Sequence, residues 1–169
     1  ANPRSAEAHL ILGRLYATRG DNGAAESAFR EVLAINPRVA AAQMELSRLN
    51  LLDGKARDSL NNAEAASRND PQNLAVRLTL IRSLVASKEF ARAEGELASL
   101  RRDHPNLPAT HVEAGVLATI KGDARTARAE FSQALSLDAG SLEALGGLIS
   151  LDLQARDSEA AKARIGKYL

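Results

Sequence analysis

The histidines are the residues through which this chain could bind a metal ion or transfer protons. His9 stands far from His104 and His111 in the sequence, His104 lies beside a proline, and the chain has no cysteine. A metal site needs ligands a few residues apart or converging in space, and nucleophilic catalysis needs a nucleophile beside a base. Neither arrangement is visible, so the histidines are predicted to be structural or solvated.

Other catalytic patterns are missing as well. The glycines are scattered, and no glycine-rich phosphate loop occurs. Asp103, Asp157 and Glu159 stand beside turns, where carboxylates cap helices. We therefore predict that the chain is not an enzyme, and we predict no cofactor and no metal site.

Arginine side chains recur at one fixed interval and could do binding chemistry. Arg14, Arg48 and Arg82 are equally spaced along the chain. A guanidinium group presents a planar fork of donors that suits a carboxylate. A solvated surface is the alternative interpretation, because arginine is a good helix former and exposed arginines are common elsewhere in the chain.

The same interval governs the whole chain. A dipeptide that ends in proline, or finally in alanine, returns each time at this interval: Asn2-Pro3, Asn36-Pro37, Asp70-Pro71, His104-Pro105 and Asp138-Ala139. A fixed period of about 34 residues marks a repeat array, and helix–turn–helix units are one of its known forms. Such an array offers a long surface rather than one privileged catalytic spot.

Each unit is predicted to form two helices. In the first unit, Leu12, Leu15 and Tyr16 recur at helical spacing before a break at Gly20-Asp21. A second apolar series, which includes Phe29, runs to the Asn36-Pro37 dipeptide, where proline ends the helix. The spacing predicts helices of roughly 13–15 residues joined by short turns.

These units resemble the tetratricopeptide repeat (TPR). The slot at position 20 of the unit stays small, with Ala25, Ser59, Ala93, Ala127 and Ala161. Position 7 holds Leu12, Leu46, Leu80, Ala114 and Leu148; position 24 holds Phe29, Ala63, Leu97, Phe131 and Ile165. Position 4 is never tryptophan, and Asn50 takes the place of the aromatic residue at position 11.

The resemblance implies an all-α fold, a TPR solenoid of about five antiparallel helix pairs forming a right-handed superhelix. We predict a single domain over residues 1–169, with units at 6–39, 40–73, 74–107, 108–141 and 142–169. Residues 2–3 are interpreted as the closing turn of an upstream unit, and the chain as a fragment of a longer array.

The resemblance also implies a binding surface, because first helices line the concave groove of TPR arrays. Position 9 would place Arg14, Arg48 and Arg82 there, and position 5 would add an apolar row of Leu10, Met44, Leu78 and Val112. The expected partner is a protein or peptide segment with acidic and apolar side chains. The lysine–asparagine pair of chaperone-binding TPRs does not occur, so an acidic chaperone tail is not expected.

A narrower resemblance concerns the runs AAQMELSRLNLLDGKARDSLNNAE and RLTLIRSLVASKEFARAEGELASLRRDHPN. They are similar to bacterial TPR lipoproteins linked to exosortase and exopolysaccharide systems. This similarity implies a location in the bacterial periplasm or cell envelope, and a role in export or polysaccharide assembly.

Composition narrows the partner classes. The 22 basic and 21 acidic residues nearly cancel, which argues against nucleic-acid binding. No run approaches the roughly 18 apolar residues of a membrane span. The alternative function is a structural spacer or self-assembly element that associates through the apolar residues of unit five: Leu142, Leu145, Leu148, Ile165 and Tyr168.

Overall fold

The chain is helical throughout the part that the structure describes. The structure is a computed structural model, and it describes the backbone of residues 3–167 and the side chains of residues 6–167. Within that range there are ten helices and no strands: α1 Pro3–Thr18, α2 Asn22–Ile35, α3 Ala40–Leu52, α4 Ala56–Asn69, α5 Leu74–Ala86, α6 Phe90–Asp103, α7 Pro108–Ile120, α8 Ala124–Leu137, α9 Leu142–Gln154 and α10 Ser158–Gly166. The predicted all-α fold class is confirmed.

The helices fall into two compact units. The first compact unit is Ala1–Glu89 and contains α1–α5, and the second compact unit is Phe90–Leu169 and contains α6–α10. Inside each unit, helices that follow one another along the chain pack together. The assignment of residues 1–169 to a single domain, divided into five units at the stated boundaries, stays a prediction.

The turn inside each helix pair has the same backbone conformation in every repeat. Gly20, Gly54 and Gly122 have φ angles of 77°, 71° and 81°, and Lys88 and Arg156 occupy the same slot at 62° and 59°. A residue in the left-handed region lets the chain reverse tightly after a helix, and glycine adopts this conformation without strain, which is why glycine is frequent at the slot.

Aspartate side chains begin several of the second helices. Asp21, Asp123 and Asp157 each accept a hydrogen bond from the backbone N–H three residues further on. These bonds satisfy donors that the first turn of a helix leaves without a partner. The predicted capping role of Asp157 is thereby confirmed.

The first helix begins earlier than the repeat pattern predicts. Pro3 is the first residue of α1, so it does not belong to a closing turn as expected, and Asn2 lies outside the described residues. Proline suits the first position of a helix because its missing N–H would have no helical partner there. The 16 residues of α1 therefore make it longer than the other first helices.

Small residues allow neighbouring helices to pack closely. A Cβ atom placed on Gly13 would lie 2.5 Å from Phe29 Cε1, and one on Gly115 would lie 2.6 Å from Phe131 Cε1. Gly147 approaches the Phe131 ring from a second helix at the same distance, 2.6 Å from Cζ. The small residues at position 20 are all buried as well. The packing role predicted for these slots follows from these approaches.

Three buried serines meet where α3, α4 and α5 pack together, and one of them, Ser47, stands at the repeat position of Gly13 and Gly115. The hydroxyl groups of Ser47 on α3, Ser59 on α4 and Ser83 on α5 lie 2.7–3.0 Å from one another. The Ser83 hydroxyl also donates to the Thr79 carbonyl at 2.9 Å. Their small size lets three helices meet, and their mutual hydrogen bonds offset the cost of burying three hydroxyls.

Candidate functional site

Two of the predicted binding arginines lie on adjacent first helices of the first compact unit and share one carboxylate. Arg14 on α1 donates from Nε to Glu45 Oε1 at 3.1 Å, and Arg48 on α3 lies 3.5 Å from Glu45 Oε2 through Nη1. The arginine side chains are 50% and 58% exposed, whereas Glu45 is only 13% exposed. The cluster therefore keeps a net charge of one positive unit.

These residues border a pocket between α1 and α3 with a volume of about 370 Å³. Phe29 and Leu49, both buried, contribute to its apolar wall, and Leu52 stands 74% exposed beside them. Pockets that bind peptides and small molecules combine an apolar surface with a few polar groups in this way. We call this pocket, with Arg14, Glu45 and Arg48, the arginine pocket.

The third arginine and the apolar row have different surroundings. Arg82 is half-buried on α5 and does not line the arginine pocket. Met44 and Val112 are 8% and 4% exposed and pack in the protein's own core, so they have almost no surface left for a ligand. Leu10 and Leu78 are partly buried. Met44 and Val112 therefore contribute to packing, and a groove role for Leu10 and Leu78 stays a prediction.

A second ionic cluster lies in the other compact unit. Glu130 on α8 accepts from Arg101 of α6 at 2.5 Å and lies 2.8 Å from His111 Nδ1 of α7. Burial of Glu130 acts to raise its pKa, but the hydrogen bonds from Arg101 and His111 prevail and the pKa is lowered. The cluster joins three helices and offers no nucleophile, so a structural role explains it.

A third cluster surrounds Asp152 on α9, which is 2% exposed. Arg128 of α8 and Arg164 of α10 each donate to one of its two oxygens at 2.5 Å. Burial alone would raise the pKa of Asp152, yet the two guanidinium groups hold it below its ordinary value. A buried carboxylate with both oxygens satisfied connects the last three helices.

The acidic members of these clusters were missed by sequence reasoning. Glu45, Glu130 and Asp152 each bind one arginine of another helix, 31, 29 and 24 residues away along the chain. The repeat spacing could have indicated these ion pairs, because residues slightly less than one period apart in the sequence lie on neighbouring helices. Of the predicted capping carboxylates, Glu159 pairs with Lys162 on the surface of α10.

The structure also bears on the residues predicted for self-association and on the surroundings of the histidines. Leu142 and Ile165 are 77% and 43% exposed, but Leu145 and Leu148 are buried in the core, and Tyr168 lies outside the described residues. Within residues 3–167 no group of histidine or carboxylate side chains is placed to hold a metal ion. None of the helices described there has the length and apolar character needed to cross a membrane.

Comparison with known families agrees with this geometry. Two family profiles, both described as tetratricopeptide repeat, match residues 50–111 and residues 1–40 and 12–56. The chain belongs to the tetratricopeptide-repeat family. No curated protein matches this TPR chain in sequence.

Several solved structures share the fold. A thermophilic TPR protein of Thermus thermophilus is 24% identical with a TM-score of 0.84, over 96% of this chain and 89% of its own. PilF of Pseudomonas aeruginosa is 20% identical with a TM-score of 0.74, over 95% of this chain and 73% of its own. A chain in the crystal structure of the APC/C hetero-tetramer Cut9–Hcn1 is similar too. That match is 19% identical with a TM-score of 0.80, over 98% of this chain but only 33% of the other.

Proposed function

We propose that this TPR chain is a protein-binding scaffold that holds an acidic and apolar segment of its partner in the arginine pocket. The observation that carries the proposal is the sharing of Glu45 by Arg14 and Arg48, next to an apolar wall. The Glu45 carboxylate already pairs with both guanidinium groups, and the two arginines carry one more positive charge than Glu45 neutralises. A partner carboxylate would take up the remaining donors.

Glu45 also orients the arginines before a partner arrives. It is largely buried, so the guanidinium groups that it binds are held at the edge of the pocket instead of sweeping through solvent. Groups that are already oriented lose less conformational entropy on binding. The exposed Leu52 side chain then provides apolar surface for the partner's neighbouring side chain.

The test uses a fluorescein-labelled peptide of alternating aspartate and leucine, with alternating lysine and leucine as the charge control. Replacing both arginines (Arg14→Glu, Arg48→Glu) should weaken aspartate-peptide binding about 2- to 30-fold, because two exposed contacts together contribute about 0.4–2 kcal/mol. The matched control, Arg19→Glu with Arg38→Glu, changes the net charge equally at exposed positions outside the pocket.

Fluorescence anisotropy at about 50 mM and about 500 mM salt measures the affinity, which should fall with salt because these charges are exposed. Adding Arg82→Glu tests whether the third arginine takes part, and circular dichroism checks that each variant folds. Equal weakening by the control pair, or equal binding of the lysine peptide, would refute a site at the arginine pocket.

A spacer or self-assembly role is the second candidate, favoured by exposed apolar residues near the last repeat. Leu142, Leu153 and Ile165 are 77%, 55% and 43% exposed. If these side chains form one contiguous apolar patch, a partner would tend to cover it. Sedimentation velocity over a hundredfold concentration range should show association that Leu142→Ser with Ile165→Ser abolishes. A sedimentation coefficient independent of concentration would count against this role.

We further propose a location in the bacterial periplasm or cell envelope, with a role in export or polysaccharide assembly. The support is the similarity of two sequence runs to bacterial TPR lipoproteins linked to exosortase systems. Fractionation of cells that express the full-length protein tests the location, and recovery of the protein wholly with the cytoplasmic marker would refute it.

A further inference from the structure

A surface groove lies between α6 and α7, and its counterpart beside α2 is lined by polar side chains instead. Its volume is about 470 Å³. Its wall consists of Leu97, Ala98, Ala114, Leu117 and Ala118, with Arg101 at one end. Ala98 is exposed and Leu117 is buried, so the groove opens to solvent above an apolar floor.

The repeat itself shows what is missing from this groove. Ala114 stands at position 7, where Leu46 and Leu148 pack into the clusters formed with α2 and α8. Leu97 stands at position 24, where those same clusters contain Phe29 and Phe131. At the α6–α7 junction, positions 7 and 24 therefore hold smaller side chains than they hold at the α2–α3 and α8–α9 junctions.

The outer part of the groove also has smaller side chains than the corresponding positions of other repeats. Ala98 and Ala118 correspond to Arg30 and Asn50, which line a polar depression beside α2. At the α8–α9 junction the position of Ala118 is taken by Asp152, whose oxygens are bound by two arginines. Of these three junctions, only α6–α7 has alanine at any of the slots compared.

The two ends of the groove are polar. At one end Lys121 of α7 pairs with Glu94 of α6, and Asp123 and Thr126 also line the groove. At the other end Arg101 uses one Nη atom for Glu130, while its buried Nε has no hydrogen-bond partner among the described residues. A buried donor without an acceptor is costly, so a shift of the Arg101 side chain that lets a ligand oxygen reach Nε would remove the cost.

We infer that the α6–α7 groove is a docking site for a protein segment that carries a leucine-sized side chain next to a carbonyl or carboxylate oxygen. The side chain fills the space that leucine fills at the other junctions, and the oxygen accepts from Arg101. This inference rests on the scaffold function proposed above and gives it a second contact surface in the other compact unit. It does not depend on the arginine pocket.

The test uses N-acetyl-leucine as the probe, with N-acetyl-alanine as the matched compound that lacks the aliphatic anchor. Methyl resonances of Ala98, Ala114 and Ala118 report on occupancy in ¹³C-methyl NMR. We expect saturable shifts with a dissociation constant on the order of 1 mM. N-acetyl-alanine should bind at least about tenfold more weakly, because a mismatch of even one methylene in an apolar pocket changes binding about 10- to 200-fold.

Ala114→Leu should restore the side chain found in the other repeats and abolish the shifts at Ala98 and Ala118. Ala129→Leu is the control, since Ala129 is exposed on α8 and does not line the groove. Ala98→Leu blocks the groove from its solvent side and serves if Ala114→Leu does not fold. Arg101→Lys keeps the charge but removes the Nε donor, and it should weaken N-acetyl-leucine severalfold.

Three results would each overturn the inference. The first is the absence of shifts at 20 mM N-acetyl-leucine, about twentyfold above the expected dissociation constant. The others are equal shifts with N-acetyl-alanine and binding that survives both groove-filling variants. The proposed function is tested separately. Arg14→Glu with Arg48→Glu should leave N-acetyl-leucine binding unchanged, and Ala114→Leu should leave the aspartate peptide bound in the arginine pocket. Either site can thus fail while the other stands.

Discussion

Two adjacent glycines on α9 allow a direct test of how closely the helices pack. A Cβ on Gly147 would lie 2.6 Å from both Cε2 and Cζ of Phe131, closer than real Cβ contacts, whereas a Cβ on Gly146 would meet nothing within 4 Å. Both glycines lie inside the same helix. Replacing either by alanine changes helix propensity equally, and only one replacement meets the ring.

The magnitudes follow from these two effects. Alanine in a helix interior is favoured over glycine by about 0.8–1.0 kcal/mol, so Gly146→Ala should raise the melting temperature by about 2–4 °C. Gly147→Ala gains the same amount but overpacks the core, which costs about 1–3 kcal/mol. We expect the Gly147→Ala variant to be about 1–3 kcal/mol less stable than the Gly146→Ala variant.

Chemical denaturation of the two variants, with and without Phe131→Leu, measures the difference and assigns it to the ring. Once the ring is replaced by a smaller side chain, Gly147→Ala should approach the effect of Gly146→Ala, with a coupling free energy of about 0.5–3 kcal/mol. Equal stabilisation by the two single substitutions, or coupling near zero, would refute the close approach of α9 to Phe131.

Three further predictions concern the clusters and the uneven core. Because the pKa of Asp152 is lowered in the folded state, the stabilising effect of the Asp152 carboxylate should be complete above about pH 4 and lost below it. Asp152→Asn should flatten this acid dependence and lower the free energy of unfolding by about 2 kcal/mol at neutral pH, as measured by urea midpoints across the pH range. Helix α4, whose buried residues include only Leu60 as a large apolar side chain, should exchange its amide hydrogens faster than the α2 turn around Phe29; equal protection would contradict this. Ser59→Ala should destabilise the protein by about 1 kcal/mol by removing one member of the serine triangle, and a neutral effect in thermal melts would show that its hydrogen bonds add little.

The sequence predicted the features that depend on local pattern. Helix periodicity, the small slot at Ala25 and Ala127 and the turn at Gly20 all recur with the repeat, and each is a property of a short stretch of chain. The helices therefore fall where the repeat places them. The early start of α1 is the exception, because Pro3 satisfies both a turn and a first helical position.

The candidate site was harder to predict because side-chain partners depend on which helix faces meet. The repeat spacing placed Arg14 and Arg48 on neighbouring helices, but nothing in it indicated that Glu45 binds both. Met44 shares its repeat position with residues expected in a groove, yet it packs against Ala66 and Val76. A repeat position states where a backbone lies, and the neighbouring side chains decide whether the position is surface or core.

The Phe131 ring has a consequence for how the protein folds. Because Gly115 on α7 and Gly147 on α9 both press on this one ring, the last repeats cannot lose one helix pair without loosening the next. At the α6–α7 junction, Leu97 and Ala114 provide no such link. In an array stabilised by nearest-neighbour coupling, α7–α9 should then open as one cooperative segment, while α6 should separate from it at lower cost.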